Sequence, residues 1–155
     1  MMNIYLTNLA AYNSGKLIGE WLEMPFTEEE YAAVMNRIGN PEETFITDYD
    51  SDMGVTVGEF DNVFALNDLV KESEGYDADL IAAIIACGYS LKDALDMADD
   101  VIFYPGKELI DVAYELVDEC YDLPEIAQRY FDYEALARDL GLDGYYETEY
   151  GVLYI

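Results

Sequence analysis

The sequence predicts an α+β fold built from three small consecutive units. Alternating apolar and polar residues, typical of β-strands, occupy both ends of the chain. Between them, apolar residues recur at intervals of three and four, which is typical of amphipathic helices. A hydrophobic content of 52% supplies enough side chains for a core. We expect the units to span residues 1–60, 61–102 and 103–155.

The first unit is predicted to be a small antiparallel sheet with one helix. "NIYLTNL" and "KLIGEWLEM" have strand patterns, and the turn signal "NSG" lies between them. Thr27 is placed to cap the helix of "EEEYAAVMNRI", with Glu30 completing a capping box and Gly39 ending the helix. "ETFITDYD" then predicts a third strand.

The second unit is predicted to be helical and the third to mix helices with a β-hairpin. Three short helices are expected in "DNVFALNDLVKES", "DADLIAAIIACG" and "SLKDALDMADD", the last capped by Ser90. After Gly106, helices are expected in "ELIDVAYELVDECYD", from Pro124 onward and in "DYEALARDLG". "DGYYETEYGVLYI" predicts a terminal hairpin that turns near Glu149.

The charge of the chain is extreme. It contains 34 acidic and only 7 basic residues, a formal net charge of −27, whereas a small soluble domain normally carries a net charge of about 2–8 in magnitude. The bases are scattered singly, so no basic patch exists to bind nucleic acid or an anionic membrane. Such a chain repels itself, and its natural partner is a basic surface on another macromolecule.

Several kinds of chemistry are excluded by what the sequence lacks. There is no histidine, so Ser-His and Cys-His nucleophiles are impossible. Cys87 and Cys120 stand in apolar helical patterns and are expected to be buried, reduced thiols. No signal peptide and no apolar run long enough to span a membrane is evident. We therefore expect a cytoplasmic protein that is not an enzyme and needs no cofactor or metal.

The most regular acidic pattern lies in "ELIDVAYELVDECYD", residues 108–122. Its acids are spaced by three and four residues, which aligns them on one helix face where like charges repel by a few tenths of a kcal/mol per pair. Shorter acidic clusters occur in all three units. Together these acids form the predicted partner-binding surface: Glu28, Glu29, Asp48, Asp50, Asp52, Glu72, Glu74, Asp77, Asp79, Asp93, Asp96, Asp100, Glu108, Asp111, Glu115, Asp118 and Asp122.

One of these clusters also resembles a calcium-binding loop. In "DYDSDMGVTVGE", residues 48–59, Asp48, Asp50 and Asp52 occupy loop positions 1, 3 and 5, and Glu59 occupies position 12. Position 6, which requires glycine for a sharp turn, is Met53, and the preceding residues are β-branched. The pattern favours an acidic strand end and turn, with a weak Ca²⁺ site as the alternative.

Two explanations for the charge as a whole remain. An acidic surface keeps a protein hydrated in high salt, although the many large apolar and aromatic residues fit that explanation less well. Alternatively, the protein imitates a polyanion. Duplex DNA carries one charge per ~1.7 Å of axis, so 27 charges correspond to about 46 Å of duplex. A basic DNA-binding enzyme would be steered onto such a surface.

Several segments resemble the ArdA family of antirestriction proteins. They are "IYLTNLAAYNSGKLIGEWLEMP" at the start, "ITDYD", "DVIFYPG", and "FDYEALARDLGLDGYYETEYGVLYI" at the end. Their order and spacing also match, so the resemblance covers nearly the whole chain.

The resemblance implies a DNA mimic carried by mobile elements and phages. Members of this family protect incoming DNA by occupying the DNA-binding groove of type I restriction-modification enzymes, in the methyltransferase core formed by the specificity and modification subunits. The family fold implies an elongated chain of three small domains that forms a homodimer through its C-terminal part. It implies no catalytic residue. An acidic inhibitor or chaperone of another basic DNA-binding protein is the alternative function.

Overall fold

The computed structural model describes all of residues 1–155 and confirms the α+β class. The chain contains eight helices and six strands, and the strands form two separate three-stranded antiparallel sheets. One sheet is N-terminal and the other C-terminal, with helices between them, as the sequence predicts.

The N-terminal sheet has β1 (Met2–Asn8) at its centre, with β2 (Gly19–Met24) and β3 (Thr44–Ser51) on either side. The predicted turn at "NSG" is present at Ser14 and Gly15, but a short helix that the sequence pattern did not indicate, α1 (Leu9–Asn13), precedes it. The Asn8 side chain starts this helix by accepting a hydrogen bond from the Ala11 amide at 2.9 Å. As a result β2 begins three residues later than expected.

Helices α2 and α5 begin at the predicted N-cap residues, Thr27 and Ser90. In the capping box of α2, the Thr27 amide donates to the Glu30 carboxylate at 2.7 Å, and the Glu30 amide donates to the Thr27 hydroxyl at 3.3 Å. The Ser90 hydroxyl caps α5 by accepting a hydrogen bond from the Asp93 amide at 3.1 Å. The four helices are α2 (Glu28–Arg37), α3 (Val63–Ser73), α4 (Ala78–Ala86) and α5 (Leu91–Met97).

The C-terminal part contains one strand that the sequence pattern did not reveal. This strand, β4, pairs antiparallel with β6, and β6 pairs with β5 in the predicted terminal hairpin. Three helices lie between β4 and the hairpin. The elements are β4 (Ile102–Pro105), α6 (Leu109–Cys120), α7 (Glu125–Arg129), α8 (Tyr133–Leu142), β5 (Tyr145–Thr148) and β6 (Gly151–Tyr154).

One hydrophobic core reaches from the first sheet to the last strand. It contains the inward side chains of β1, including Ile4, the apolar face of α4, including Ile81 and Ile84, and Leu153 of β6. A smaller second cluster, centred on Val112, joins α6 and α8 to β6. The main core thus contains residues of all three predicted units, and the unit boundaries at residues 60 and 102 stay predictions.

The surface area agrees with an elongated chain. Its accessible surface is 9571 Å², about a fifth more than the ~7,900 Å² expected for a compact monomer of 17.6 kDa. A large surface relative to volume gives many positions at which charge can face solvent. None of the helices combines the length and the apolar character needed to cross a lipid bilayer.

Candidate partner-binding surface

Every acidic side chain of the protein lies at or near the surface. None of the 34 is buried, and only Glu20 and Glu115 are partly covered. These two are also held by bases, since Arg37 pairs with Glu20 at 2.7 Å and Lys107 pairs with Glu115 at 2.9 Å. Desolvation of a carboxylate is therefore tolerated here only beside a cation, as its energetic cost requires.

The predicted acidic row on α6 is shorter in the structure than in the sequence. Asp111, Glu115 and Asp118 lie within the helix, opposite a buried face that includes Val112. Glu108 precedes the helix as its N-cap, and Asp122 follows Tyr121, whose extended backbone ends the helix. The row of five on one helix is thus wrong, and three residues spanning about 10 Å of helix axis remain.

The repulsion along α6 is relieved by contacts that the sequence pattern did not indicate. Lys107, just outside the row, pairs with Glu115, and the hydrogen bond between them raises the pKa of Lys107. The Asp111 carboxylate accepts a hydrogen bond from the Glu108 amide at 2.9 Å, and Glu147 accepts one from the Leu109 amide at 2.7 Å. Both carboxylates therefore satisfy free amides at the positive end of the helix dipole.

Asp118 has a different environment from the other two acids of the row. It makes no hydrogen bond or ion pair within the protein. Its negative charge acts on Tyr133. The pKa of Tyr133 is raised mainly by burial and, to a smaller extent, by the Asp118 carboxylate. Tyr133 in turn stacks on Tyr114 of α6 with ring centroids 3.9 Å apart. An exposed carboxylate thus stands beside a rigid aromatic pair.

The acids of the calcium-like motif lie in a regular strand. Asp48 and Asp50 of β3 stand opposite Tyr5 and Asn3 of β1, so they point to the same face of the sheet. Asp52 lies beyond β3, where it pairs with the Met1 ammonium. Met53 is buried in the core. An extended strand does not wrap its oxygens around an ion, so the geometry gives no support to the calcium alternative.

Most of the predicted acids of α2, α4 and α5 lie at helix N-termini. Glu28 and Glu29 form the first turn of α2, and Asp93 lies in the first turn of α5. Asp77 is the N-cap of α4 and accepts a hydrogen bond from the Asp79 amide at 2.8 Å. Carboxylates at these positions stabilise their helices through the macrodipole while pointing toward solvent. They therefore combine a structural role with surface charge.

Four further predicted acids lie away from helix N-termini. Glu72 and Glu74 mark the C-terminal end of α3, and Asp100 follows α5, all three exposed and without an ion pair. Asp96 on α5 pairs with Lys92 one turn earlier. The structure does not gather the predicted residues into one patch. It distributes them over the surface of the whole chain.

Sequence reasoning missed two features of this surface. Cys120 was expected to be buried, but it is exposed: it lies on the same side of α6 as the buried Ala113, yet it is the last residue of the helix, beyond the last buried position, Val117. Cys87 is half-buried, and burial raises the pKa of its thiol. Large apolar side chains also face solvent among the acids, notably Leu17, Phe60 and Tyr130. Composition alone could not separate them from core residues.

Comparison with known proteins identifies the family of the chain. No protein with a curated description matches it. A family model described as "Antirestriction protein (ArdA)" matches residues 4–154. This range covers all eight helices, both sheets except the first two residues of β1, and every acidic residue discussed above. The chain belongs to the ArdA family of antirestriction proteins.

Proposed function

We propose that the protein is a DNA mimic that inhibits type I restriction-modification enzymes. Family membership supports an antirestriction function, and the family consists of inhibitors rather than enzymes. The observation that carries the mimicry is the exposure of acidic side chains in all three predicted units, none of them buried. The target is the DNA-binding groove of the methyltransferase core, formed by its specificity and modification subunits.

Electrostatics supply the mechanism. A groove that binds DNA is lined with lysine and arginine, and these cations repel one another when the groove is empty. A net charge of −27 steers the inhibitor toward that groove and neutralises it on binding. Because the acids are distributed, many weak contacts replace a single strong one. Incoming DNA of a mobile element or phage then finds the groove occupied, and restriction is blocked, as is modification wherever it uses the same groove.

We also propose that the protein acts as a homodimer formed through its C-terminal part. Apolar side chains there face solvent, including Ile126 at 69% exposure and Tyr130 at 82% exposure. Two copies joined at this end would double the length of the acidic surface. Sedimentation of the wild type should give the mass of two chains, whereas Ile126→Asp should give one. A wild-type protein that sediments as a monomer at micromolar concentration would contradict the dimer.

Competition for DNA tests the proposed inhibition directly. A purified type I methyltransferase core is bound to a fluorescent DNA duplex that contains its recognition site, and the protein is added at low salt. Displacement of the duplex is expected, and it should weaken as ionic strength rises because charge contacts are screened. Failure to displace the duplex at low salt would contradict the proposed inhibition. An unrelated basic DNA-binding protein serves as the control, and equal displacement there would favour a general acidic inhibitor or chaperone.

A further inference from the structure

The outward face of the N-terminal sheet carries an open hollow built from aromatic rings and carboxylates. Its volume is about 480 Å³. The rings belong to Tyr5, Tyr12, Trp21 and Phe45, and the carboxylates to Asp48 and Glu59. No basic side chain lines it. The hollow therefore presents π-faces and negative charge together, with no cation of its own.

The aromatic part of the hollow is held rigidly. The Tyr5 hydroxyl donates a hydrogen bond to the Gly19 carbonyl at 3.0 Å, which lays the ring across β2. A side chain at residue 19 would not fit, because a Cβ there would lie 2.5 Å from the Tyr5 ring. The Trp21 ring packs edge-on against Tyr5, with centroids 5.3 Å apart, and Tyr12 packs likewise against Phe45 at 5.1 Å. Such a surface is already in shape before a ligand arrives.

Two of the rings and both carboxylates of the hollow are free to meet a ligand, whereas the Phe45 ring is buried. Trp21 is 46% exposed and Tyr12 is 52% exposed, far more than aromatic side chains in a core. Asp48 and Glu59 make no ion pair. The only hydrogen bond that the Asp48 carboxylate accepts comes from the amide of the next residue, Tyr49, at 2.9 Å.

We propose that this hollow binds an arginine side chain of the protein's macromolecular partner. A guanidinium is flat, so it stacks on an aromatic face while its N–H groups donate to carboxylates at its edge. An ammonium is a compact, strongly hydrated charge and matches this combination less well. An anionic ligand is repelled by Asp48 and Glu59. That the arginine belongs to a DNA-binding groove rests on the proposed function, because such grooves are rich in exposed arginine.

The hollow contains its own reporter, since Trp21 is the one tryptophan of the chain. We would titrate the full-length protein at low salt with a tri-arginine amide and, separately, with a tri-lysine amide of equal charge, and follow tryptophan fluorescence. The arginine peptide should change the emission saturably and bind at least about fivefold more tightly than the lysine peptide. Equal affinity and equal emission change for the two peptides would overturn the proposal, because general electrostatic attraction would then suffice.

Matched variants separate the hollow from the net charge. Asp48→Asn should weaken binding of the arginine peptide about tenfold, through loss of a charge-assisted hydrogen bond. Asp139→Asn, an exposed acid of α8 far along the chain, makes the same change in charge and should weaken it less than about twofold. Equal effects of the two variants would overturn the proposal. Circular dichroism confirms the fold, and Tyr12→Leu provides a second test that leaves the charge unchanged.

The outcome is distinguishable from that of the proposed function. Peptide binding at Trp21 combined with no displacement of DNA from a methyltransferase would retain the arginine site and reject the antirestriction target. Displacement of DNA without selectivity for the arginine peptide would retain the antirestriction target and reject the arginine site. If both hold, Asp48→Asn should weaken displacement of DNA more than Asp139→Asn does.

Discussion

Neutralising the acids of α6 tests whether the mimic is distributed or depends on one helix. The triple variant Asp111→Asn, Glu115→Gln and Asp118→Asn removes three negative charges with little change of shape. The fold should survive, because an asparagine at 111 keeps an oxygen that can accept the hydrogen bond from the Glu108 amide. The variant also leaves Lys107 without its partner, which adds an unbalanced positive charge at the same place.

The size of the effect follows from the exposure of these side chains. An ion pair at a solvated surface contributes about 0.2–1 kcal/mol. Three lost pairs then weaken binding by roughly 3-fold to 150-fold, since 1.4 kcal/mol corresponds to about tenfold. Inhibition should be reduced but not abolished, because most of the acidic surface is unchanged.

A second triple variant gives the matched comparison. Glu72→Gln, Glu74→Gln and Asp100→Asn remove the same charge from the central part of the chain, where all three side chains are exposed and unpaired. The assay is displacement of labelled duplex from the methyltransferase core at one fixed ionic strength. The distributed mimic predicts losses within about tenfold of each other for the two triples. Abolition by the α6 triple with no effect of the central triple, both proteins being folded, would refute it.

Three further predictions concern stability. Leu153→Ala should lower the free energy of unfolding in urea by about 2–5 kcal/mol, because Leu153 is fully buried where the last strand joins the main core; a loss below 1 kcal/mol would contradict that role. Hydrogen bonds from the Thr27 amide and hydroxyl lower the pKa of Glu30 below its ordinary value of 4.5. The stability advantage of the wild type over Glu30→Gln should therefore be complete above pH 4.5 and disappear as the pH falls through the lowered pKa, which thermal melts from pH 7 to 3 would measure; a difference independent of pH would exclude it. Finally, raising NaCl from about 0.05 to 0.5 M should raise the melting temperature by screening self-repulsion, whereas loss of the fold at low salt would favour adaptation to high salt.

The elements that the sequence predicted well are those with local signals. The Thr27–Glu30 capping box and the Ser90 cap lie within four residues of the helices they start, and both form as predicted. The elements that were missed depend on distant partners or are very short. Strand β4 has four residues, and its pairing with β6 closes a loop of about fifty residues, which no local pattern records. Helix α1 has five residues, too few for a clear apolar period.

The acidic surface was predictable in kind but not in detail. Carboxylates are almost never buried without a partner, so their exposure follows from composition alone. Which of them bond within the protein depends on helix ends and neighbouring strands. Lys107 lies one residue before the acidic stretch, yet its contact with Glu115 spans eight positions of sequence and needs the bend at Gly106 and the helix start. The aromatic hollow is harder still, because Tyr5 and Trp21 meet only through strand pairing.

The structure divides the acids into two groups, and the division bears on function. One group, including Asp77 and Asp111, accepts hydrogen bonds from helix amides, so its charge stabilises the isolated protein. The other group, including Asp100 and Asp118, has no hydrogen bond or ion pair and mainly adds repulsion. Favourable interactions for this second group must come from outside the chain. The charge of its members is therefore best explained by binding to a basic partner. Substituting these residues should weaken inhibition without lowering the stability of the protein.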